Sequence, residues 1–249
     1  MNILEISNLS HRFADGTLGI DGLSLTVREG EFVVIAGRNG SGKTTLLRHL
    51  NGLLLPTAGT VKVSGLSVSE NLLSARQTVG MVFQDADSQI VGETVYDDAA
   101  FGPENLCLPR EEIRKRVTEA LDAVGLSDLA DRKPYLLSGG QKRRLAIAGV
   151  LAIKSEILVF DEPFSNLDYP GIRQVLRRIL ALHQSGHTIL LTTHDLEKVI
   201  AHASRLIIMK KGRIVRDGNP EDMLADTEQF GVRRPCASRL GMKIESWLN

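Results

Sequence analysis

The sequence is poor in what several specialised chemistries and compartments require. Cysteine stands only at Cys107 and Cys236, far apart and outside any paired metal-ligand spacing, which excludes a disulfide framework and fits a reducing compartment. Apolar runs such as ILVF and TILLT fall far short of the roughly 20 residues a membrane-spanning helix needs. The opening residues MNILEISNLSHRF hold no basic region followed by an apolar core, so no signal peptide is expected. Charge of one sign is also missing: 30 Lys and Arg balance 30 Asp and Glu, whereas a general nucleic-acid binder is basic. These absences predict a soluble, cytoplasmic protein with no nucleic-acid partner, for which any membrane role requires another protein.

What is present is ordinary in amount and specific in order. With 43% hydrophobic and 24% charged residues over 249 positions, the chain can bury one large or two small cores. Short apolar runs at 31–36, 79–83, 157–160, 188–192 and 206–209 read as buried strands, and helical patterns lie between them, so a mostly parallel sheet covered by helices is expected. Over 111–124, Ile113, Val117, Ala120, Leu121 and Val124 recur at helical spacing, and Gly125 stands where a cap belongs. Alternating segments LSLTV and TVKVSG near the amino terminus suggest an antiparallel patch. No internal repeat or low-complexity tract is visible, and after about residue 225 the pattern decays into a tail ending KIESWLN.

The strongest local signal is EFVVIAGRNGSGKTTLLRHLNGL. A strand runs into Gly37-x4-Gly42-Lys43-Thr44, and an apolar helix carrying Leu46, Leu47 and Leu50 follows. Glycines let backbone N–H groups wrap a phosphate, to which the helix N-terminus adds its positive end. Lys43 then reaches the β- and γ-phosphates, and the Thr44 hydroxyl helps to hold Mg²⁺. A chance glycine-rich loop would not bring strand and helix in this order. ILVFDEP delivers Asp161 and Glu162 at the C-terminal end of a buried strand, the edge at which open α/β sheets bind ligands. Asp161 suits the metal side, and Glu162 suits the base that polarises attacking water. Two acids capping a strand-to-helix turn is the simpler alternative, but the cradle beside them favours a nucleoside triphosphate. His194, after the strand in TILLTTHD, comes to the same edge and fits a γ-phosphate role. His183 and His187 have helical metal-site spacing, but Gly186 ends that helix, so they read as solvated. The stretch LSGGQKRRLAIAGVLA, 137–152, opens a helix and offers no metal cluster, no nucleophile–base pair and no obvious general acid, so it cannot do chemistry alone.

Taken together, the chain resembles the ATP-binding-cassette (ABC) ATPases. GRNGSGKTT, Gln84, LSGGQ, ILVFDEP, SNLD and TTHD stand in that family's order, over roughly residues 3–225. The resemblance implies an α/β P-loop NTPase fold, with a RecA-like core, an N-terminal antiparallel β subdomain and an inserted α-helical signature subdomain at about 85–152. The ATP-binding domain then spans 1–225 and a short tail 226–249. ATP is held by the loop Gly37, Arg38, Asn39, Gly40, Ser41, Gly42, by Lys43, Thr44 and Thr45 behind it, and by Gln84. Phe13 stacks on adenine where the family often has Tyr, keeping the π face and losing the hydroxyl. Mg²⁺ falls to Thr44, Gln84 and Asp161, and catalysis to Lys43, Glu162 and His194. Ser138, Gly139, Gly140 and Gln141, with Asp168, serve the ATP of a second ATPase subunit, identical or paralogous, once two chains close head-to-tail. Phe164, Asn166 and Tyr169 in DEPFSNLDYPG depart mildly from the commoner form and leave the catalytic set intact.

A narrower resemblance lies in QDADSQIVGETVYDDAAFGPENLCL, 84–108. It is similar to the ATPase subunits of energy-coupling-factor (ECF) transporters through Asp87, Gln89, Ile90, Thr94, Val95 and Phe101 to Leu106. This implies import of a vitamin or a transition metal such as cobalt or nickel. The implied partners are a transmembrane coupling protein and a small substrate-binding membrane subunit, with this chain peripheral on the cytoplasmic face. Residues 226–249 are short beside the longer C-terminal dimerisation segment of many such ATPases, so Phe230 and Trp247 pack either across a dimer or against the body. A soluble ABC ATPase acting in assembly and a non-hydrolysing structural partner remain the alternatives; the former lacks membrane recruitment, and the latter fits poorly with Glu162 and His194 both present.

Overall fold

Residues 1–248 are described by a computed structural model, and their apolar runs form the inside of two sheets. The larger sheet orders its six strands β10-β9-β3-β8-β7-β6. It comprises β3 (Phe32–Ala36), β6 (Val79–Val82), β7 (Ile157–Asp161), β8 (Thr188–Thr193), β9 (Arg205–Lys210) and β10 (Arg213–Gly218). All neighbours run parallel except the β9–β10 edge. The five expected runs are therefore strands, and β3, β7 and β8 are buried at every residue, which is why they are continuous rather than alternating in hydrophobicity.

Successive side chains of β7 enter different cores. Leu158 and Phe160 join one hydrophobic cluster, while Ile157 and Val159 join the other, the period-two alternation of a strand covered on both faces. The second cluster is closed by a four-stranded antiparallel sheet, ordered β2-β1-β4-β5. Its strands are β1 (Asn2–Arg12), β2 (Leu18–Arg28), β4 (Ala58–Val63) and β5 (Leu66–Ser67), and it holds both LSLTV and TVKV. Leu46, Leu47 and Leu50 of α1 (Lys43–Leu50) fill the gap between the sheets. A short α2 (Leu72–Thr78) leads into β6.

Between β6 and β7 the chain forms α3 (Val95–Asn105), α4 (Arg110–Val124) and α5 (Gly139–Ala152). Helix α4 buries the expected stripe Val117, Ala120, Leu121 and Val124 and stops at Gly125, whose φ of 66° is left-handed. Helix α5 buries Leu145, Ala146, Ile147, Ala148 and Val150 because it lies among α3, α4 and α6 (Tyr169–Gln184). The loop before α3 is held by one acid: Asp98, 8% exposed, accepts N–H bonds from Val91 (2.8 Å) and Gly92 (3.0 Å). A Cβ at Gly92 would lie 2.2 Å from the Asp98 nitrogen, so only glycine fits there.

His183 and His187 depart from the solvated reading. Helix α6 ends at Gln184 before Gly186, φ 103°, yet both rings are half-buried, with His183 Nε2 2.9 Å from Gly30 O and His187 Nδ1 3.1 Å from Leu182 O. After β10, α7 (Pro220–Met223), a 3₁₀ run at Leu224–Phe230 and α8 (Cys236–Arg239) complete the described chain. Phe230 and Trp247 are partly buried against the larger helical core of their own chain.

Removal of the Asp98 carboxylate leaves two buried donors without a partner. Asp98→Ala is expected to lower unfolding free energy by about 2 kcal/mol, read as a lower urea midpoint with an unchanged slope; an unchanged midpoint would contradict this role.

Candidate active site

The carboxyl edge of the parallel sheet gathers the loop after β3, the acids after β7 and the histidine after β8. The loop turns where only glycine is tolerated: a Cβ at Gly37 would sit 2.5 Å from Met209 O and from Ser41 Oγ, and one at Gly42 (φ 102°) would sit 2.8 Å from Gly19 O. Gly40 is also left-handed, with φ 77° and open space at its Cβ position. Arg38, Asn39, Gly40 and Ser41 line one side of a small cavity there. Ser41 Oγ is buried without a hydrogen-bond partner, and α1 begins at Lys43, so an orphaned hydroxyl and a helix N-terminus meet at the loop. This donor set fits a polyphosphate. Lys43, 6% exposed, donates to Gly37 O at 2.7 Å, and its Nζ is 3.6 Å from Glu162 Oε1.

Three elements converge on Asp161. Its Oδ2 accepts from Thr44 Oγ1 of α1 at 2.7 Å, and its Oδ1 accepts from Thr192 Oγ1 of β8 at 2.6 Å. Thr44 hydroxyl, Asp161 carboxylate and the Gln84 amide, which lines the same cleft of about 690 Å³ with them, form an all-oxygen set suited to Mg²⁺.

The neighbouring Glu162 takes φ 47°, a left-handed conformation uncommon outside glycine and characteristic of functional turns. Its N–H reaches Thr192 O at 3.2 Å, and its Oε2 lies 2.9 Å from His194 Nδ1. Oε1 is buried and accepts no hydrogen bond. The carboxylate is thus held by a histidine on one oxygen and faces Lys43, without a hydrogen bond, on the other.

The remaining expected residues fall into separate groups. Phe13, 37% exposed, lies over Gly19, where a Cβ would come within 2.7 Å of its ring, and meets His11 edge-on at 4.7 Å. Thr45 offers its carbonyl to His49 Nδ1 at 2.7 Å. Ser138 and Gln141 form a capping box that starts α5. Ser138 Oγ accepts Gln141 N–H there (3.3 Å), which leaves the hydroxyl proton, the exposed Gly139 and the half-exposed Gly140 free to face outward. Asp168 caps α6 by accepting Gly171 N–H at 2.9 Å. The cradle and Asp161, Glu162 and His194 are thus brought together, whereas Ser138 and Gln141 bond each other and Asp168 bonds its own helix.

Sequence reading missed three contributors. Thr192 is one; it stands opposite Asp161 in the β7–β8 register, a pairing that appears only once strand order is known. Arg143, 4% exposed, extends from α5 to the carbonyls of Phe83 and Gln84, and Lys142 pairs with Asp87. Burial pushes the Arg143 guanidinium down from its ordinary value, while Asp85 and Asp161 oppose the shift. The third is a buried histidine pair: His49 Nε2 lies 3.1 Å from His11 Nδ1, linking the Phe13 side to α1.

Comparison with known proteins agrees with this geometry. The family described as ABC transporter matches residues 20–165. A putative ABC transporter ATP-binding protein of Halobacterium salinarum is 50% identical over 94% of this chain and 100% of its own length. The energy-coupling factor transporter ATP-binding protein EcfA of Methanocaldococcus jannaschii is 43% identical, covering 96% of this chain and 88% of its own. Among solved structures, cbiO1 of Clostridium perfringens, part of the ABC transporter complex cbiONQ, superposes with a TM-score of 0.83 at 35% identity, covering 96% and 98% of the two chains. The chain belongs to the ABC transporter family, as an ATP-binding subunit of the energy-coupling-factor type. It is an ATPase.

The histidines give this fold a pH dependence with a definite sign. Burial pushes His49 below its ordinary value, with the charge of His11 adding to the effect and hydrogen bonds to the Thr45 and Leu55 carbonyls opposing it; burial alone lowers His202. Their contribution is intact above the free histidine value of about 6.5 and is lost as pH falls through the folded values. Urea midpoints are therefore expected to drop between about pH 7.5 and about pH 5.5, and His49→Gln is expected to shrink that drop. An equal drop in the variant would contradict the assignment.

Proposed function

We propose that this chain is the ATP-hydrolysing half of an ECF-type importer, working as a dimer with a second ATPase subunit, the same chain or a paralogue. The observation that carries the reading is the buried Glu162, clamped by His194 on one oxygen and facing Lys43 on the other, which accepts no hydrogen bond. In this mechanism the 37–42 loop and Lys43 bind the phosphates of ATP, and Phe13 stacks on its adenine. Thr44, Asp161 and Gln84 would hold Mg²⁺, which neutralises phosphate charge when bound. Glu162 takes a proton as water oxygen attacks the γ-phosphorus and the bond to the bridging oxygen breaks; His194 fixes the glutamate and approaches the γ-phosphate. From the partner, Ser138, Gly139, Gly140, Gln141 and Asp168 complete the site. Closure driven by ATP, and reopening after hydrolysis, perform work because ATP favours the closed form.

The body 1–225, with its helical part at about 85–152, would meet a transmembrane coupling protein through the 84–108 segment. Exposed Phe101 on α3 and the 83–94 loop near Lys142 and Arg143 support that placement. No described helix is long and apolar enough to cross a membrane, so the transmembrane path belongs to partners, with this chain peripheral on the cytoplasmic face. A small membrane subunit would choose the cargo, a transition metal such as cobalt or nickel, or a vitamin.

Glu162→Gln keeps the shape and loses the base. It is expected to bind ATP normally, to accumulate as an ATP-bound dimer, and to turn over about 10²–10⁴-fold more slowly; near-normal phosphate release would remove Glu162 from the mechanism. A tagged pull-down from detergent-solubilised native membranes is expected to bring down a transmembrane protein and a small, very hydrophobic subunit. Recovery of soluble partners alone would favour an assembly ATPase.

A further inference from the structure

The loop that carries His194 has little regular structure of its own. After β8 it continues through two 3₁₀ turns, Leu196–Lys198 and Ile200–His202, a geometry with poorer hydrogen bonds than an α-helix. Leu196, Val199 and Ile200 anchor it in the helical core, and the far end of the chain adds polar contacts. Arg233 pairs with Asp195, next to His194, in an isolated parallel bridge. Two residues further along this loop, Glu197 accepts the Cys236 N–H at 2.7 Å. Ser246 Oγ lies 2.9 Å from His202 Nε2.

The same tail then reaches the turn that presents Asp168. Leu248 O accepts from Arg173 Nη2 at 2.8 Å. The Trp247 ring rests on Tyr169, with centroids 5.5 Å apart and planes at 50°, and Tyr169 is the first residue of α6 after its Asp168 cap. At its start the tail also touches the phosphate loop: a Cβ at Gly231 (φ 77°) would lie 2.5 Å from Arg38 Cδ. Val232, 1% exposed, anchors the segment in the helical core. One continuous stretch thus spans the flank of the cradle, the histidine loop and the Asp168 turn.

We propose that residues 231–248 form an intramolecular brace that sets the His194 loop against the Asp168 turn, with Trp247 as a positioning residue for ATP hydrolysis. The inference rests on the roles given to Glu162 and His194 above. Trp247 touches neither, and its effect is transmitted through Tyr169 and through the backbone between Ser246 and Arg233. Small displacements of positioned groups cost rate steeply, whereas the cradle that binds ATP stands on α1 and β3 and meets the brace at Gly231, far along the tail from Trp247.

The test is steady-state ATP hydrolysis by the full chain carrying Trp247→Ala, Trp247→Phe, Ser246→Ala or His194→Ala, with urea midpoints for each. Trp247→Ala is expected to lower kcat by roughly ten-fold with KM for ATP nearly unchanged. Trp247→Phe, which keeps a ring on Tyr169, is expected to restore most of that loss, and Ser246→Ala to show a smaller kcat loss of the same kind. Unchanged kcat in Trp247→Ala, a matching rise in KM, or failure of phenylalanine to restore rate would overturn the brace. If Trp247→Ala does not fold, an undiminished kcat in Ser246→Ala would overturn it alone. Undiminished turnover in His194→Ala would instead overturn the reading of His194.

Discussion

Everything at the carboxyl edge of the large sheet depends on where β7 stops. A strand buried at every position delivers Asp161 and then Glu162, and a buried carboxylate is tolerable only where donors meet it. Thr44 and Thr192 supply those donors to Asp161, so one carboxylate joins α1, β7 and β8. Glu162 is treated differently. It is swung out of the strand by a left-handed backbone, bonded to His194 on one oxygen, and ion-paired with Lys43 Nζ at 3.6 Å, without a hydrogen bond, on the other. The adjacent acids therefore stand in different surroundings: Asp161 ties three elements together, and Glu162 keeps one oxygen without a hydrogen bond.

The helical insert shares an apolar core with the sheet, and polar side chains tie it to this edge as well. Arg143 bonds the carbonyls of Phe83 and Gln84 while Lys142 pairs with Asp87. These residues sit one turn beyond the Ser138 cap, so the turn that faces outward and the loop bearing Gln84 are mechanically joined.

Much of this was legible in the sequence because the informative parts are local. Buried parallel strands are contiguous apolar runs, the cradle is one unbroken stretch, and the stripe on α4 ends at its glycine. The antiparallel sheet was visible only as alternation in two of its strands, and β1 was missed as the strand both pair with. What could not be read depends on contacts between distant positions. Thr192 serves Asp161 because β8 lies beside β7, His49 meets His11 across 38 positions, and Arg143 reaches back 59 positions to Gln84. The tail was opaque for a related reason: Arg233, Ser246 and Trp247 each find a separate partner, so no periodicity marks them. His183 and His187 were misjudged because their carbonyl partners in the Gly30 turn and at Leu182 leave no pattern in the chain.

The central claim is that the cradle of one chain is completed by the Ser138 turn of another. It is tested most directly by mixing two inactive variants, Lys43→Ala and Ser138→Arg, and measuring phosphate release. In a mixed dimer one site carries both defects and the other carries neither, so activity is expected to return on mixing although each variant alone is silent. A mixture as inactive as its components would contradict a site shared between two copies of this chain.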